Sequence, residues 1–132
     1  MASIFSKIVA GEIPCYKIAE NDDFLAFLDI NPIAEGHTLV IPKQETDYIF
    51  DIDDKQYSEL FLFSKKISKA IKKSIPCKKV GIAVVGLEVA HAHVHLIPIN
   101  KIYDIDFRNP KLPLSKEKFN SICELIRNNL EA

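Results

Sequence analysis

The sequence has little net charge and no long apolar run. Lysines and arginines number 17 against 18 aspartates and glutamates, so the formal net charge of the 132 residues is −1. This balance gives the surface no overall attraction for nucleic acid or anionic membranes, and an anionic ligand would have to be bound by local donors. No apolar run approaches the roughly 20 residues of a membrane span, and the segment around Lys7 lacks the apolar core of a signal peptide. We therefore expect no nucleic-acid partner and no membrane association.

Cysteine is also scarce. The three cysteines, Cys15, Cys77 and Cys123, are odd in number and far apart in the chain. This arrangement is typical of reduced thiols and not of a disulfide framework. The sequence therefore predicts a cytoplasmic protein.

No repeat, low-complexity tract or linker divides the chain, and 48% of its residues are hydrophobic. A single domain over residues 1–132 with a substantial core is therefore expected. The predicted strands cover residues 16–19, 24–28, 37–42, 80–85 and 91–97. The predicted helices are a short one over 4–9, one between a cap at Asp53 and Pro76, and one over about 116–130 after Ser115. This order predicts an α+β domain, with an antiparallel sheet of about five strands and two main helices packed on one side.

Three of the four histidines stand within five positions, in the run His-Ala-His-Val-His over residues 91–95. If this run is a strand, alternate side chains point to one face and step roughly 7 Å apart. Ala92 and Val94 would then face the core, whereas His91, His93 and His95 would line an open surface. Packing has no need of three titratable rings in a row, so the pattern indicates chemistry.

Three interpretations of the pattern remain open at this point. The histidines could be structural, as a lone histidine usually is. They could bind zinc, with His37 completing the set, although no cysteine lies near them in the sequence. They could also catalyse a reaction at phosphorus, because a neutral imidazole with one bare nitrogen and one fixed nitrogen is a nucleophile near pH 7. Its neighbours could then donate to the phosphate oxygens.

The run from His91 to Ile97 resembles the motif His-x-His-x-His-hydrophobic-hydrophobic of the histidine triad (HIT) superfamily of nucleotide-binding hydrolases and transferases. Three further blocks, residues 4–14, 24–32 and 36–43, are similar to the Hint-like branch of that superfamily. The resemblance covers most of residues 4–98. It implies an α+β domain of the HIT-like fold and a homodimer that forms a continuous sheet.

The resemblance also implies roles for the four histidines. His93 matches the histidine that attacks the α-phosphate of a nucleotide and becomes nucleotidylated before water releases the nucleoside monophosphate. His95 matches the ring that contacts a phosphate oxygen and assists the leaving group, while His91 and His37 match supporting positions. Transferase branches carry glutamine at the third triad position, so His95 favours hydrolysis.

A nucleoside site is implied as well. Asp29 matches a carboxylate that accepts both ribose hydroxyls, and a carboxylate can indeed accept several O–H donors. From the residues alone, Asp29 would be a turn residue before Asn31-Pro32, and the apolar positions would be ordinary core. The positions that match walls around the base are Phe5, Ile8, Ile13, Phe27, Leu28 and Ile30, and Glu88 and Val89 match positions near the phosphates.

The sequence departs from the family pattern in two places. Many bacterial relatives bind a structural zinc through Cys-x-x-Cys, where this chain has Ser3-Ile4-Phe5-Ser6. Serine cannot replace a thiolate ligand, so we expect no metal and no cofactor. The usual phosphate loop contains Asn and Gln, but residues 81–89 contain neither, and Glu88 stands where a small hydroxyl residue is common. A carboxylate there would repel a multiply charged substrate.

We therefore expect a metal-independent hydrolase of purine nucleoside phosphoramidates or related nucleotide esters, with diadenosine polyphosphates less favoured. Two alternatives belong to other classes. One is a nucleotide-binding sensor with vestigial catalysis, and the other is a histidine metalloprotein.

Overall fold

The computed structural model of the protein describes residues 2–131, which form one five-stranded sheet and three helices. The helices are α1 (Ile4–Val9), α2 (Asp54–Ser74) and α3 (Lys116–Asn128), and the strands are β1 (Lys17–Glu20), β2 (Phe24–Leu28), β3 (Thr38–Pro42), β4 (Lys79–Ala83) and β5 (Val94–Ile99). The strand order is β1-β2-β3-β5-β4, and every neighbouring pair is antiparallel. The predicted α+β architecture is therefore confirmed. Across the described residues, none of the helices is both long enough and apolar enough to cross a membrane.

The two long helices begin at the caps that the sequence predicts. The Asp53 carboxylate accepts a hydrogen bond from the backbone N–H of Gln56 at 2.9 Å, and the hydroxyl of Ser115 accepts one from the backbone N–H of Lys118 at 3.1 Å. Each bond satisfies a backbone donor that the first turn of a helix leaves unpaired. Helix α2 ends just before Pro76, which cannot continue it.

Both faces of the sheet are covered, and β2 shows this most clearly because all five of its side chains are buried. Phe24, Ala26 and Leu28 belong to the main core, which also contains residues of α2 and α3. Leu25 and Phe27 point the other way and pack with Phe5 of α1 in a second, smaller core. Because α1 is only six residues long, it covers just part of this second face.

The strand that follows the triad differs from the prediction. The alternating pattern predicts a strand over 91–97, but β5 begins at Val94 and ends at Ile99. The backbone N–H of Ala92 donates to the carbonyl oxygen of Thr46 at 2.7 Å, so the first half of the motif is bound to a loop and not to a strand. Pro98 lies inside β5 because β3 pairs with this strand only as far as Leu96, which leaves one side of Pro98 without a neighbour. Strand β4 is likewise displaced, to Lys79–Ala83 from the predicted 80–85.

Candidate active site

A cavity of about 380 Å³ opens on the face of the sheet that α1 covers. This volume lies within the range of small-molecule sites in proteins. All nine residues that the resemblance assigned to nucleotide binding line the cavity, and so do His37, His93 and His95. The nine are Phe5, Ile8, Ile13, Phe27, Leu28, Asp29, Ile30, Glu88 and Val89. The structure thus brings these residues together, and their binding roles remain predictions.

The triad histidines do not lie on an open surface, as the strand pattern had suggested. His91 is fully buried, and His93 and His95 are only 6% and 8% exposed. Helix α1 covers the first two, since the ring of Phe5 packs edge-on against His91 and His93 at centroid distances of 5.8 and 5.0 Å. The prediction that Ala92 and Val94 face the core is correct, because both belong to the main core.

Hydrogen bonds to the backbone fix the tautomers of His91 and His93. Nε2 of His91 lies 2.8 Å from the carbonyl oxygen of Pro42, which can only accept, so Nε2 carries the proton. Nδ1 of His91 therefore carries a lone pair, and it accepts a hydrogen bond from the hydroxyl of Ser3 at 2.8 Å. Nδ1 of His93 lies 2.7 Å from the carbonyl oxygen of His91 and donates to it. The remaining nitrogen of His93, Nε2, is consequently unprotonated.

This unprotonated nitrogen is open to the cavity. Among residues 2–131, every buried side-chain nitrogen or oxygen has a hydrogen-bond partner. Within the same part of the chain, Nε2 of His93 has none, so it is accessible from the cavity that the ring lines. An accessible lone pair on a neutral imidazole, with the other nitrogen fixed by a carbonyl oxygen, is the state in which histidine acts as a nucleophile.

A second chain of hydrogen bonds fixes His37 and His95. The backbone N–H of Ile33 donates to Nδ1 of His37 at 3.2 Å, so the proton of the neutral His37 ring is on Nε2. Nε2 of His37 lies 3.0 Å from Nδ1 of His95 and donates to it. The proton of His95 is thus on Nε2, and this N–H points a donor into the cavity beside the lone pair of His93, with the two ring centroids 4.9 Å apart.

The hydrogen-bonded rings of His37 and His95 are neutral. Burial is the main cause that lowers the pKa of His37 and of His95 to about 3, and the positive charge of Lys111 lowers both further. Burial also lowers the pKa of His91, although the carbonyl oxygen of Pro42 and the carboxylate of Glu45 oppose that shift. At neutral pH His37, His91 and His95 are therefore uncharged.

Asp29 lines the cavity close to His37 and His95. Its Oδ1 accepts from the backbone N–H of Asn31 at 2.8 Å, and its Oδ2 lies 3.5 Å from Nε2 of His37. Gly36 makes the turn that brings His37 alongside, since it adopts a φ of +89° that favours glycine. The backbone N–H of Asp29 then donates to the carbonyl oxygen of His37 at 3.0 Å. The carboxylate is therefore both a turn residue and a free acceptor at the cavity.

A match to a family model decides the affiliation of the chain. The HIT domain model matches residues 10–102, which is more than half of the sequence and includes all four histidines and Asp29. The chain belongs to the HIT family.

Individual relatives agree along nearly the whole length. This HIT protein is 35% identical to an adenosine 5'-monophosphoramidase of Schizosaccharomyces pombe, with 99% of this chain and 100% of the relative covered. It is 42% identical to an uncharacterized HIT-like protein of Borreliella burgdorferi, with 96% and 97% covered. Its fold is similar to the crystal structure of a Hit-like protein involved in cell-cycle regulation from Bartonella henselae, with a TM-score of 0.84, 31% identity, and 97% and 96% covered. The HIT-like fold expected from the sequence is thereby confirmed.

The histidines of this HIT protein do not fit a metal site well. Asp29, His37 and His95 offer ligand atoms within 4.8 Å of one another. However, Nδ1 of His37 already accepts from Ile33, so Nε2 carries a proton and has no lone pair for an ion. At the other end of the triad, the hydroxyls of Ser3 and Ser6 lie 2.8 and 3.4 Å from Nδ1 of His91 and take the place of thiolate ligands. The donor set therefore favours hydrogen bonding over metal coordination.

Two further residues at the site carry no signal in the sequence. Phe107 packs edge-on against His95 at a centroid distance of 4.7 Å, and Lys111 lines the same cavity. Both lie beyond the family match at residue 102, and neither belongs to a periodic pattern that would have marked it. The backbone N–H of Leu112 donates to the carbonyl oxygen of Pro32 at 2.8 Å, which holds this segment beside the Asp29 loop.

Proposed function

We propose that the protein is a nucleotide hydrolase that cleaves purine nucleoside phosphoramidates, or related nucleotide esters, at the α-phosphate through a covalent nucleotidyl-His93 intermediate. The observation that carries this proposal is the pairing in one cavity of a bare, accessible Nε2 on His93 with an N–H donor on His95. The adenosine monophosphoramidase activity named for the Schizosaccharomyces pombe relative supports the substrate class.

In the first step, the lone pair on Nε2 of His93 forms a bond to phosphorus as the P–N bond of the substrate breaks. Binding of the anionic phosphate favours a proton on the His37–His95 pair, because an adjacent negative charge favours the charged form of an imidazole. Nε2 of His95 passes its proton to the leaving nitrogen, which departs as the amine. The positive charge that develops on His93 is stabilised by the carbonyl oxygen of His91, which accepts from Nδ1.

In the second step, water replaces the histidine. Nε2 of His95, now unprotonated, accepts a proton from a water molecule as its oxygen attacks phosphorus. The P–N bond to His93 breaks, its electron pair returns to Nε2, and the nucleoside monophosphate is released. The same ring thus serves first as acid and then as base, as general acid–base catalysis allows.

The charges around the cavity support a substrate of low charge. Asp29 and Glu88 line it with negative charge, and Lys111 provides a positive charge. The apolar residues Phe5, Ile8 and Phe27 suit the flat face of a base, and Asp29 can accept ribose hydroxyls. We infer that a phosphoramidate or monoester is preferred to a diadenosine polyphosphate, which brings several more negative charges past Glu88.

Replacement of the proposed nucleophile tests the reaction. Wild-type protein is mixed with adenosine phosphoramidate, quenched in acid-free denaturant and weighed intact. We expect a mass increase of one nucleotidyl group in the wild type and none in His93→Gln, which also loses turnover but retains affinity for the nucleoside monophosphate. Full turnover by His93→Gln would refute the mechanism. Nucleotide affinity without any turnover or adduct in the wild type would instead favour the nucleotide-binding sensor.

We also propose that two copies pair through β4 to form a continuous sheet. Strand β4 is one edge of the sheet and carries Ile82, which is 51% exposed. The opposite edge, β1, carries Lys17 and Glu20, whose charges discourage strand pairing. Light scattering should give twice the 14.9 kDa chain mass, and Ile82→Lys should reduce it to one chain. A monomeric wild type at micromolar concentration would rule the dimer out.

We further propose a cytoplasmic location. All three cysteines, Cys15, Cys77 and Cys123, are free thiols in the structure, which suits a reducing compartment. Fractionation of the source cells, with the protein found outside the soluble cytoplasmic fraction, would contradict this.

A further inference from the structure

Behind the cavity, His91 contacts a small polar cluster at the start of α1. The cluster consists of Ser3, Ser6 and Glu45, and it lies on the side of His91 that faces away from Pro42. The hydroxyl oxygen of Ser3 is 2.8 Å from Nδ1 of His91, although the two residues are 88 positions apart in the chain. The HIT domain match begins at residue 10, so two of the three cluster residues lie outside it.

Each hydroxyl proton in the cluster has a single acceptor. Oε1 of Glu45 accepts from the backbone N–H of Ser3 at 2.6 Å and from the hydroxyl of Ser6 at 2.7 Å. Because Ser6 gives its hydroxyl proton to Glu45, it has none left for His91. The hydroxyl of Ser3 accepts from the backbone N–H of Ser6 at 3.0 Å and donates its own proton to Nδ1 of His91.

The negative charge on Glu45 fixes the direction of these hydrogen bonds, because a carboxylate can only accept. The backbone N–H of Ser3, followed by the hydroxyl of Ser6, lowers the pKa of the Glu45 carboxyl to about 2. The carboxylate is therefore an acceptor throughout the neutral range and cannot donate back to either serine.

We propose that Ser3 is a positioning residue for the reactive histidine. Its hydroxyl donates to Nδ1 of His91 while Nε2 donates to Pro42, so the ring is held from both sides and the backbone carbonyl oxygen of His91 is placed to receive Nδ1–H of His93. That last hydrogen bond leaves Nε2 of His93 bare. Glu45 and Ser6 act one step further out, by holding Ser3 and the first turn of α1 in place.

Helix α1 gives the same contact a second consequence. Phe5 lies between Ser3 and Ser6 in the sequence and packs against both His91 and His93. Docking the start of α1 on His91 therefore sets the ring packing around the nucleophile as well as the position of the carbonyl oxygen that fixes its tautomer. Most of the residues that line the cavity belong to segments other than α1.

The tautomers can be measured directly, without any substrate. In protein labelled with ¹⁵N-histidine, long-range ¹H–¹⁵N spectra distinguish protonated from bare ring nitrogens. We expect the wild type to show His91 protonated on Nε2 and His93 protonated on Nδ1. Ser3→Ala should shift the Nδ1 signal of His91, which loses its donor, and the Nδ1 signal of His93, whereas Ser3→Thr, which keeps the hydroxyl, should restore the wild-type signals. Unchanged signals in Ser3→Ala would overturn the proposal.

Activity gives a second readout, which rests on the proposed function. We expect Ser3→Ala to lower kcat for adenosine phosphoramidate about tenfold with KM within twofold, and Ser3→Thr to recover at least half of the wild-type kcat. Ser68→Ala, which removes an exposed serine hydroxyl on α2, should leave kcat unchanged. A loss of kcat in Ser3→Thr equal to that in Ser3→Ala would overturn the role of the hydroxyl. If the wild type itself has no turnover, the proposed function fails while the tautomer spectra still decide the role of Ser3.

Discussion

His91 and His95 flank His93 at equal distances in the sequence, yet they belong to different parts of the molecule. His95 lies in β5, lines the cavity and directs an N–H donor into it. His91 precedes the strand, does not line the cavity and has both ring nitrogens occupied by Ser3 and Pro42. Equal spacing thus gave one ring that faces the cavity and one that holds the loop behind it.

The supports of the two rings differ as well. The hydrogen bonds that support His95 lead through His37 to the backbone N–H of Ile33, and all of them are buried. The hydrogen bonds that support His91 lead through Ser3 to Glu45, whose side chain is 37% exposed. The comparison teaches that the partner of the second ring nitrogen, more than the position in the motif, decides what a triad histidine can do.

The largest effect is expected when variants of His91 and His95 are compared on substrates that differ in their leaving group. His95→Asn keeps an acceptor near His37 but loses the Nε2–H donor, so kcat for an amine leaving group should fall by about 10²–10⁴. The loss should be much smaller for an aryl ester, whose leaving group departs without a proton. His91→Asn should lower both rates by the same, smaller factor. Parallel assays of the two substrates measure this, and equal losses for both substrates in His95→Asn would remove the difference between the rings.

A second effect concerns stability in acid. The unfolded chain binds a proton on each imidazole below about pH 6.5, but folded His37 and His95 bind one only near pH 3. Between these values the unfolded state holds more protons, so the free energy of unfolding falls as the pH falls, by up to about 1.4 kcal/mol per pH unit for each ring. Urea unfolding at pH 7, 5.5 and 4.5 measures the slope. His95→Asn should reduce this slope. An identical slope in wild type and variant would contradict the conclusion that His95 is buried as a neutral imidazole.

The smallest effect is expected from the charges at the cavity mouth. Glu88 and Lys111 are both exposed, so their interactions with a ligand are screened. Glu88→Gln should raise kcat/KM for diadenosine tetraphosphate about twofold to fivefold relative to adenosine phosphoramidate, and Lys111→Gln should lower the same ratio. Both changes should shrink in high salt. A ratio that does not respond to either substitution would show that the flanking rings, and not these charges, set the selectivity.

Local features of the sequence predicted local structure well. The caps at Asp53 and Ser115 and the core positions Ala92 and Val94 follow from hydrogen bonding and periodicity within a few residues, and the structure has them as expected. The grouping of Asp29 with the histidines came from the block resemblance, since its local pattern reads only as a turn.

Features that depend on long-range packing could not be predicted in the same way. The burial of His91 and His93 requires α1 to lie across them, and no property of residues 91–95 indicates that cover. The contact between Ser3 and His91 and the approach of Phe107 to His95 join distant parts of the chain through the packing of loops. Serine and phenylalanine at these positions have no local pattern that separates them from ordinary surface or core residues.

Cys15 gives the cavity a chemical reporter of occupancy. Its thiol is half-buried in the cavity wall, whereas Cys77 is half-buried outside it and Cys123 is in the core. Burial raises the pKa of the Cys15 thiol, so alkylation should be slow at neutral pH and easy to follow by mass. A nucleotide that fills the cavity would shield Cys15 but leave Cys77 unaffected, so the ratio of alkylation at the two thiols would report binding even in a variant without turnover.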